Sequence, residues 1–308
     1  MICQIKMMSA KSQNLSIGFV AWMDVLGYKQ VLSSDQGTAL TEEKVEVWGK
    51  VFDVLLKARE QQFDHELTEY LKKDRGLCEA WYRSTAFTDS IVTSVDLSEV
   101  DDFGQWALET LFLRRTAFLS RLLFEEGLPI RAGIAYGHFV HSEAGFAGSP
   151  FIEAEALSSR LELSACVFSD AAIAEVRRIH RNRPPWDRFE ANSVWFRYDR
   201  CALKPKPVAP VCGVLANSAN PACPLAMAPV YEPMYALNFA SRGGLRATND
   251  ASEFKINFSG ADADLKTIVT RSFSAHGKPT QKASIQAKIQ ETVKMLEAAH
   301  KACPSSFS

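Results

Sequence analysis

No CxxC pair occurs among the seven cysteines, which scatter from Cys3 to Cys303, so the sequence offers neither a disulfide framework nor a zinc ribbon. Free thiols in a reducing compartment fit that spacing. Charge of one sign is equally lacking. Against 35 Lys plus Arg stand 36 Asp plus Glu, a net charge of -1, which supplies no global field to hold a nucleic acid or a membrane surface. No nucleic-acid partner is therefore expected, and any phosphate ligand must be gripped locally. Long hydrophobic runs are missing too: Ile17 to Met23 stops at Asp24, far short of the roughly 20 residues that span a bilayer, so no membrane span is expected. Lys6 and Lys11 sit among polar neighbours without the apolar core of a secretory signal, and a cytoplasmic location is the expectation.

What is present is ordinary globular material, with 47% hydrophobic and 23% charged residues in a chain of 308. Residues 1–16 read as a tail. From Ile17 to Met23 both alternating faces are apolar, as in a strand buried on both sides. Thr41 to Phe63 sets Val45, Trp48, Phe52, Leu55 and Leu56 on one helical stripe. Trp81 to Val95 reads as a hairpin with Asp89 near its turn. A helix from about Asp101 to Glu126 is closed by Gly127, and Ile130 to Tyr136 is the next strand. A glycine-containing loop then leads to a helix at Phe151 to Leu163, a strand at Cys166 to Phe168 and a helix at Asp170 to His180. This order predicts an α+β domain over residues 17–180, ferredoxin-like and palm-type, with an antiparallel-centred sheet and helices on one face. Residues 181–308 form a C-terminal extension. Its Cys201 to Pro233 stretch holds seven of the 13 prolines and predicts an extended connection or covering loop, and Lys282 to Lys301 predicts a terminal helix.

The chemistry centres on two carboxylates. Asp24 ends the all-apolar strand and Asp89 sits in the hairpin turn, so the topology brings both to one sheet edge. Two like charges about 4 Å apart repel by roughly 4 kcal/mol at an effective dielectric of 20, and magnesium or manganese is the natural remedy because both prefer carboxylate and phosphate oxygen. The plainer alternative is that each Asp caps a helix or turn. After Asp24, the backbone amides of the turn Val25, Leu26, Gly27 and Tyr28 could approach phosphate, and Tyr28 could stack on a base or merely pack. Alternation puts Arg83, Thr85, Phe87 and Asp89 on one face, where Arg83 on its own reads as a solvated strand residue. Arg160 reads either as a phosphate clamp or as a helix residue pairing with Glu153, Glu155 or Glu162. His138 and His141 lack the partners of a zinc site and read as surface histidines.

Phe19 to Lys29 (FVAWMDVLGYK), Ala86 to Val92 (AFTDSIV) and Pro129 to Gly137 (PIRAGIAYG), with Gly148 to Glu162 (GSPFIEAEALSSRLE), resemble the core motifs of class III nucleotidyl cyclases, and most closely the bacterial Pycsar pyrimidine cyclases. The resemblance implies that Asp24, Asp89 and the Val25 carbonyl hold two divalent metal ions, manganese ahead of magnesium. It implies that Arg160 stabilises the transition state, that Arg131 supports the site or the nucleotide, and that Arg83 and Thr85 line the base pocket, where Arg83 could donate to base carbonyls. It further implies a homodimer with composite sites, a nucleoside triphosphate substrate with UTP first, a cyclic nucleotide product, and a separate effector that binds the product in antiphage defence. CTP or a purine triphosphate would be the alternative substrates, and a catalytically silent nucleotide-sensing dimer the alternative function. Ala156 stands where the family usually carries an Asn, and Thr85 where adenylate cyclases use a Lys, which is why a pyrimidine is placed first.

Overall fold

The computed structural model describes residues 15–26, 82–87, 90–142, 145–181, 195–204, 229–239, 265–275 and 280–302, with single positions at 42, 45, 46, 49 and 53. Its strands are β1 (Leu15–Val25), β2 (Tyr82–Phe87), β3 (Ser90–Asp96), β4 (Ile130–Ser142), β5 (Gly145–Gly148), β6 (Ala165–Phe168), β7 (Trp195–Leu203) and β8 (Val230–Leu237). Its helices are α1 (Asp102–Glu125), α2 (Ser149–Arg160), α3 (Asp170–Arg181), α4 (Leu265–Ser274) and α5 (Ala283–Ala302). The sheet runs β2-β3-β1-β4-β6-β8-β7, with β5 paired to β4. β1 is antiparallel to both β3 and β4, so the centre is antiparallel and its order is ferredoxin-like.

The alternation in β1 explains why it lies at the centre. Phe19, Ala21, Met23 and Val25 point to one face and join the core under α1, α3, α4 and α5, where Phe112 and Phe118 are fully buried. α1 is set by its ends. Asp101 accepts from the Gly104 amide at 2.8 Å. At the other end Gly127, at φ 75°, lets its own amide reach Phe124 O and that of Leu128 reach Leu123 O, a Schellman closure.

The opposite face carries Val20, Val92 and Ala135, packed against Phe151 and Ala154 of α2. Helices therefore cover both faces, a departure from the one-sided packing expected. The reason lies in Gly133: a Cβ there would sit 2.2 Å from Ala154 O, so the missing side chain is what lets α2 lie directly on β4.

Other departures are local. The loop expected after Tyr136 is instead the continuation of β4 and its hairpin with β5, pairing Phe139 with Gly148. Strands occupy both ends of the Pro-rich stretch: β7 and β8 pair with each other, and Val167↔Ala236 joins them to the same sheet. Residues 205–228 between them lie outside the described residues. Glu42, Val45, Glu46, Gly49 and Asp53 have helical backbone, but Val45 is 56% exposed and so is not on a buried stripe. Trp48, Phe52, Leu55 and Leu56 lie outside the described residues. Among the described residues no helix is long and apolar enough to cross a membrane.

Candidate functional site

Asp24 is the last residue but one of β1, on the α2 face with Val20 and Trp22. Its register partners are Ser90 on β3 and Arg131 on β4. Arg131 grips one carboxylate oxygen twice, with Nη2 at 2.5 Å and Nε at 2.6 Å from Asp24 Oδ2, and both side chains are mostly buried. The ion pair neutralises a carboxylate that the strand would otherwise carry into a partly dry environment, and it leaves Oδ1 outside the pair. Arg131 Nη1 also donates to Ser159 O at 3.3 Å, and the Ser158 hydroxyl donates back to Arg131 O at 3.0 Å. Arg131 thus braces β1, β4 and the end of α2 together.

The Ser159 carbonyl also receives Lys204 Nζ, at 2.8 Å. Burial lowers the Lys204 ammonium from its ordinary value, the Arg131 and Lys288 charges add to that, and Glu162 and Asp24 oppose it. Lys204 escaped the sequence reading because it sits at the edge of the Pro-rich stretch. The signal that could have found it is the alternation of β7, in which Phe196 and Tyr198 are buried while Arg197 and Asp199 are exposed, before a register shift reached at Cys201.

Arg160 ends α2. It donates from Nη2 to Glu232 Oε1 at 3.0 Å, a partner on β8 and not one of the three glutamates on its own segment. Its Nε is buried without a hydrogen-bond partner among the described residues. A buried donor left unpaired costs about 1–3 kcal/mol.

Arg83 and Thr85 lie on the same face as Asp24. Their register partners Ser94 and Val92 lead across β3 to Val20 and Trp22 of β1. Both are exposed. Arg83 Nη1 meets His141 Nδ1 from the extension of β4, so His141 is a partner of Arg83 and not an unengaged surface residue. Burial, then the Arg83 charge, lowers the His141 imidazole below its ordinary range.

The Leu26 amide, placed near phosphate in the sequence reading, donates to Pro129 O at 2.7 Å, and its side chain is buried, so it is committed to the strand end. Val25 pairs with Ile130 beside it. Gly27, Tyr28 and Asp89 lie outside the described residues. Ser90 is the register partner of Asp24 on β3.

Among the described residues no group of three His, Cys, Asp or Glu side chains is disposed around a metal. The donor chemistry at the strand end nonetheless fits a hard divalent ion, since Asp24 offers Oδ1 beyond its ion pair and the Val25 carbonyl follows it.

No family model and no curated protein matches this chain. Among solved structures it is similar to the guanylyl cyclase Cya2, at 12% identity and a TM-score of 0.38, over 73% of this chain and 92% of that one. It is also similar to a class III adenylyl cyclase-like ATP-binding protein from Pseudomonas aeruginosa, at 15% identity and a TM-score of 0.34, over 54% of this chain and 34% of that one.

Proposed function

We propose that the protein is a nucleotide cyclase that converts a nucleoside triphosphate, UTP first, to its 3′,5′-cyclic monophosphate and pyrophosphate. One observation carries the reading: Asp24, at the end of the central strand, is register-paired with Ser90, next in chain to Asp89, on a face it shares with Arg131, Thr85 and Arg83. In the reaction the ribose 3′-oxygen bonds to the α-phosphorus, its proton leaves to solvent or a base, and the α–β bridging bond breaks to release pyrophosphate. No water is consumed.

Asp24, the Val25 carbonyl and Asp89 would hold the two divalent ions, manganese ahead of magnesium, which supply Lewis-acid activation of the attacking oxygen and charge neutralisation of the leaving group. Arg131 fixes the orientation of the Asp24 carboxylate. Arg160 and Lys204 supply positive charge beside the α2 terminus for the phosphates. Arg83, held by His141, and Thr85 face the base. A homodimer would complete two equivalent sites, with Arg160 of one subunit serving the aspartates of the other. A separate effector that binds the cyclic product and a role in antiphage defence belong to the same reading.

The Asp24–Arg131 ion pair also suits a catalytically silent nucleotide-binding protein, in which the carboxylate serves the fold. Incubating the purified protein with each of the four nucleoside triphosphates and manganese, then identifying products by mass, separates the readings. Cyclic UMP is expected. A different cyclic nucleotide would keep the chemistry and change the base, whereas binding without any cyclic product would leave the silent module standing.

A further inference from the structure

The last residues of α2 and the turn that follows, residues 159–164, are where the cations of the site converge, and α5 reaches this turn from 128 residues away. The Ser164 amide, fully buried, donates to Thr292 Oγ1 at 2.9 Å. Thr292 is also fully buried, and its own hydroxyl proton goes to Lys288 O at 2.7 Å. That hydroxyl thus has both roles filled, donor to its helix and acceptor for the turn. Ser164 passes the contact onward: its side chain donates to Ile130 O at 2.7 Å, one residue before Arg131. Lys288 adds an ion pair with Glu162 at 3.4 Å. The same turn is tied to the end of β7 by Glu162 N to Ala202 O at 3.0 Å and Lys204 N to Arg160 O at 2.6 Å.

We propose that α5 is a positioning element for the catalytic turn, with Thr292 as the positioning residue that fixes Arg131 and Lys204 beside Asp24 and sets Arg160 for the site it completes in the partner subunit. The inference rests on the cyclase reading above. Its physical basis is the isolation of the Ser164 amide. With Thr292 replaced by the isosteric Val, a fully buried donor loses its acceptor, and the turn must move to find another. A displacement of about 1 Å in a charge-stabilising group is enough to cost a large factor in rate.

The test compares Thr292→Val, Thr292→Ser and Leu296→Ala. Leu296 is buried on α5 and takes no part in the turn, so its variant controls for loss of packing alone. Product formation is followed with each triphosphate and manganese, and amide hydrogen exchange of the 159–164 segment is followed in nucleotide-free protein. Thr292→Val is expected to lower kcat by about tenfold or more with KM changed by less than about threefold, and to speed Ser164 exchange; Thr292→Ser restores both. Leu296→Ala is expected to lower the melting temperature without the kcat loss. Lys288→Met, on a partly exposed pair, covers the case in which Thr292→Val does not fold, with an expected kcat loss of about twofold to fivefold and faster exchange of the turn. Unchanged exchange in the foldable variants, or a kcat no lower than that of Leu296→Ala, overturns the positioning role while the cyclase reading stands. A wild-type protein that cyclises none of the four triphosphates overturns the cyclase reading and this proposal with it.

Discussion

The two faces of the central sheet are built by the same strands and serve opposite ends. Beneath α1 the odd positions of β1 meet Phe112, Phe118 and Leu111, all almost completely out of water. On the α2 face the packed patch is smaller. Trp22, Phe146 and Phe151 form an aromatic cluster, Phe146 stacking on Phe151 at 4.2 Å, and beside it run Asp24, Ser90, Arg131, Thr85 and Arg83. Period-two alternation lets one strand commit one side to stability while holding charged groups rigidly on the other.

The largest break in this comparison is expected from Asp24→Asn. The amide keeps much of the shape but removes the charge that Arg131 and a divalent ion would meet, and cyclic product should fall by at least about a hundredfold in a folded protein. Full activity in that variant, or in Asp89→Ala, would remove that carboxylate from the mechanism.

Next in size is a contrast between the faces. Phe112→Ala, in the α1 core with its ring 5.9 Å from Phe19, should cost about 3–5 kcal/mol in chemical denaturation, yet leave the rate of the remaining folded protein near wild type. Gly133→Ala should cost less, about 1–3 kcal/mol, because α2 must back away from the new methyl. Its rate per folded molecule should nevertheless fall further, since α2 carries Arg160. Equal rate losses in the two variants would erase the division of labour.

The smallest expected effect is a pH dependence. Because burial and Arg83 lower the folded His141 value, the unfolded chain binds the proton first as acid is added. The Arg83–His141 contact is thus fully present above about pH 6.5, the ordinary histidine value, and is lost as pH falls toward the lowered one. Discrimination among the four triphosphates should be flat above that pH and decline below it, and His141→Gln should flatten the profile. A decline that persists in His141→Gln would assign the titration elsewhere.

Much of this architecture is legible in local sequence, because its signals act within a few residues. The apolar alternation of Ile17–Met23, the capping Asp101 and the closing Gly127 each dictate a strand or a helix end where they stand. The α2 packing was not legible as a face, because Gly133 looks the same in sequence whether it makes room for a helix or for solvent. β7 was obscured by a register shift between Tyr198 and Cys201 and by the prolines that follow.

The sequence alone determined that a buried strand would run to about Asp24, that Trp81 to Val95 would form an antiparallel hairpin, and that amphipathic helices would cover the sheet, since repeat period, capping and turn chemistry are short-range. Only the tertiary structure decided that Arg131 braces Asp24 across 107 residues, that Arg160 turns to Glu232 across 72, and that Thr292 reaches Ser164 across 128. Those partners follow from strand order and helix placement, and a hydrogen bond between distant segments leaves no periodic trace in the chain that forms it.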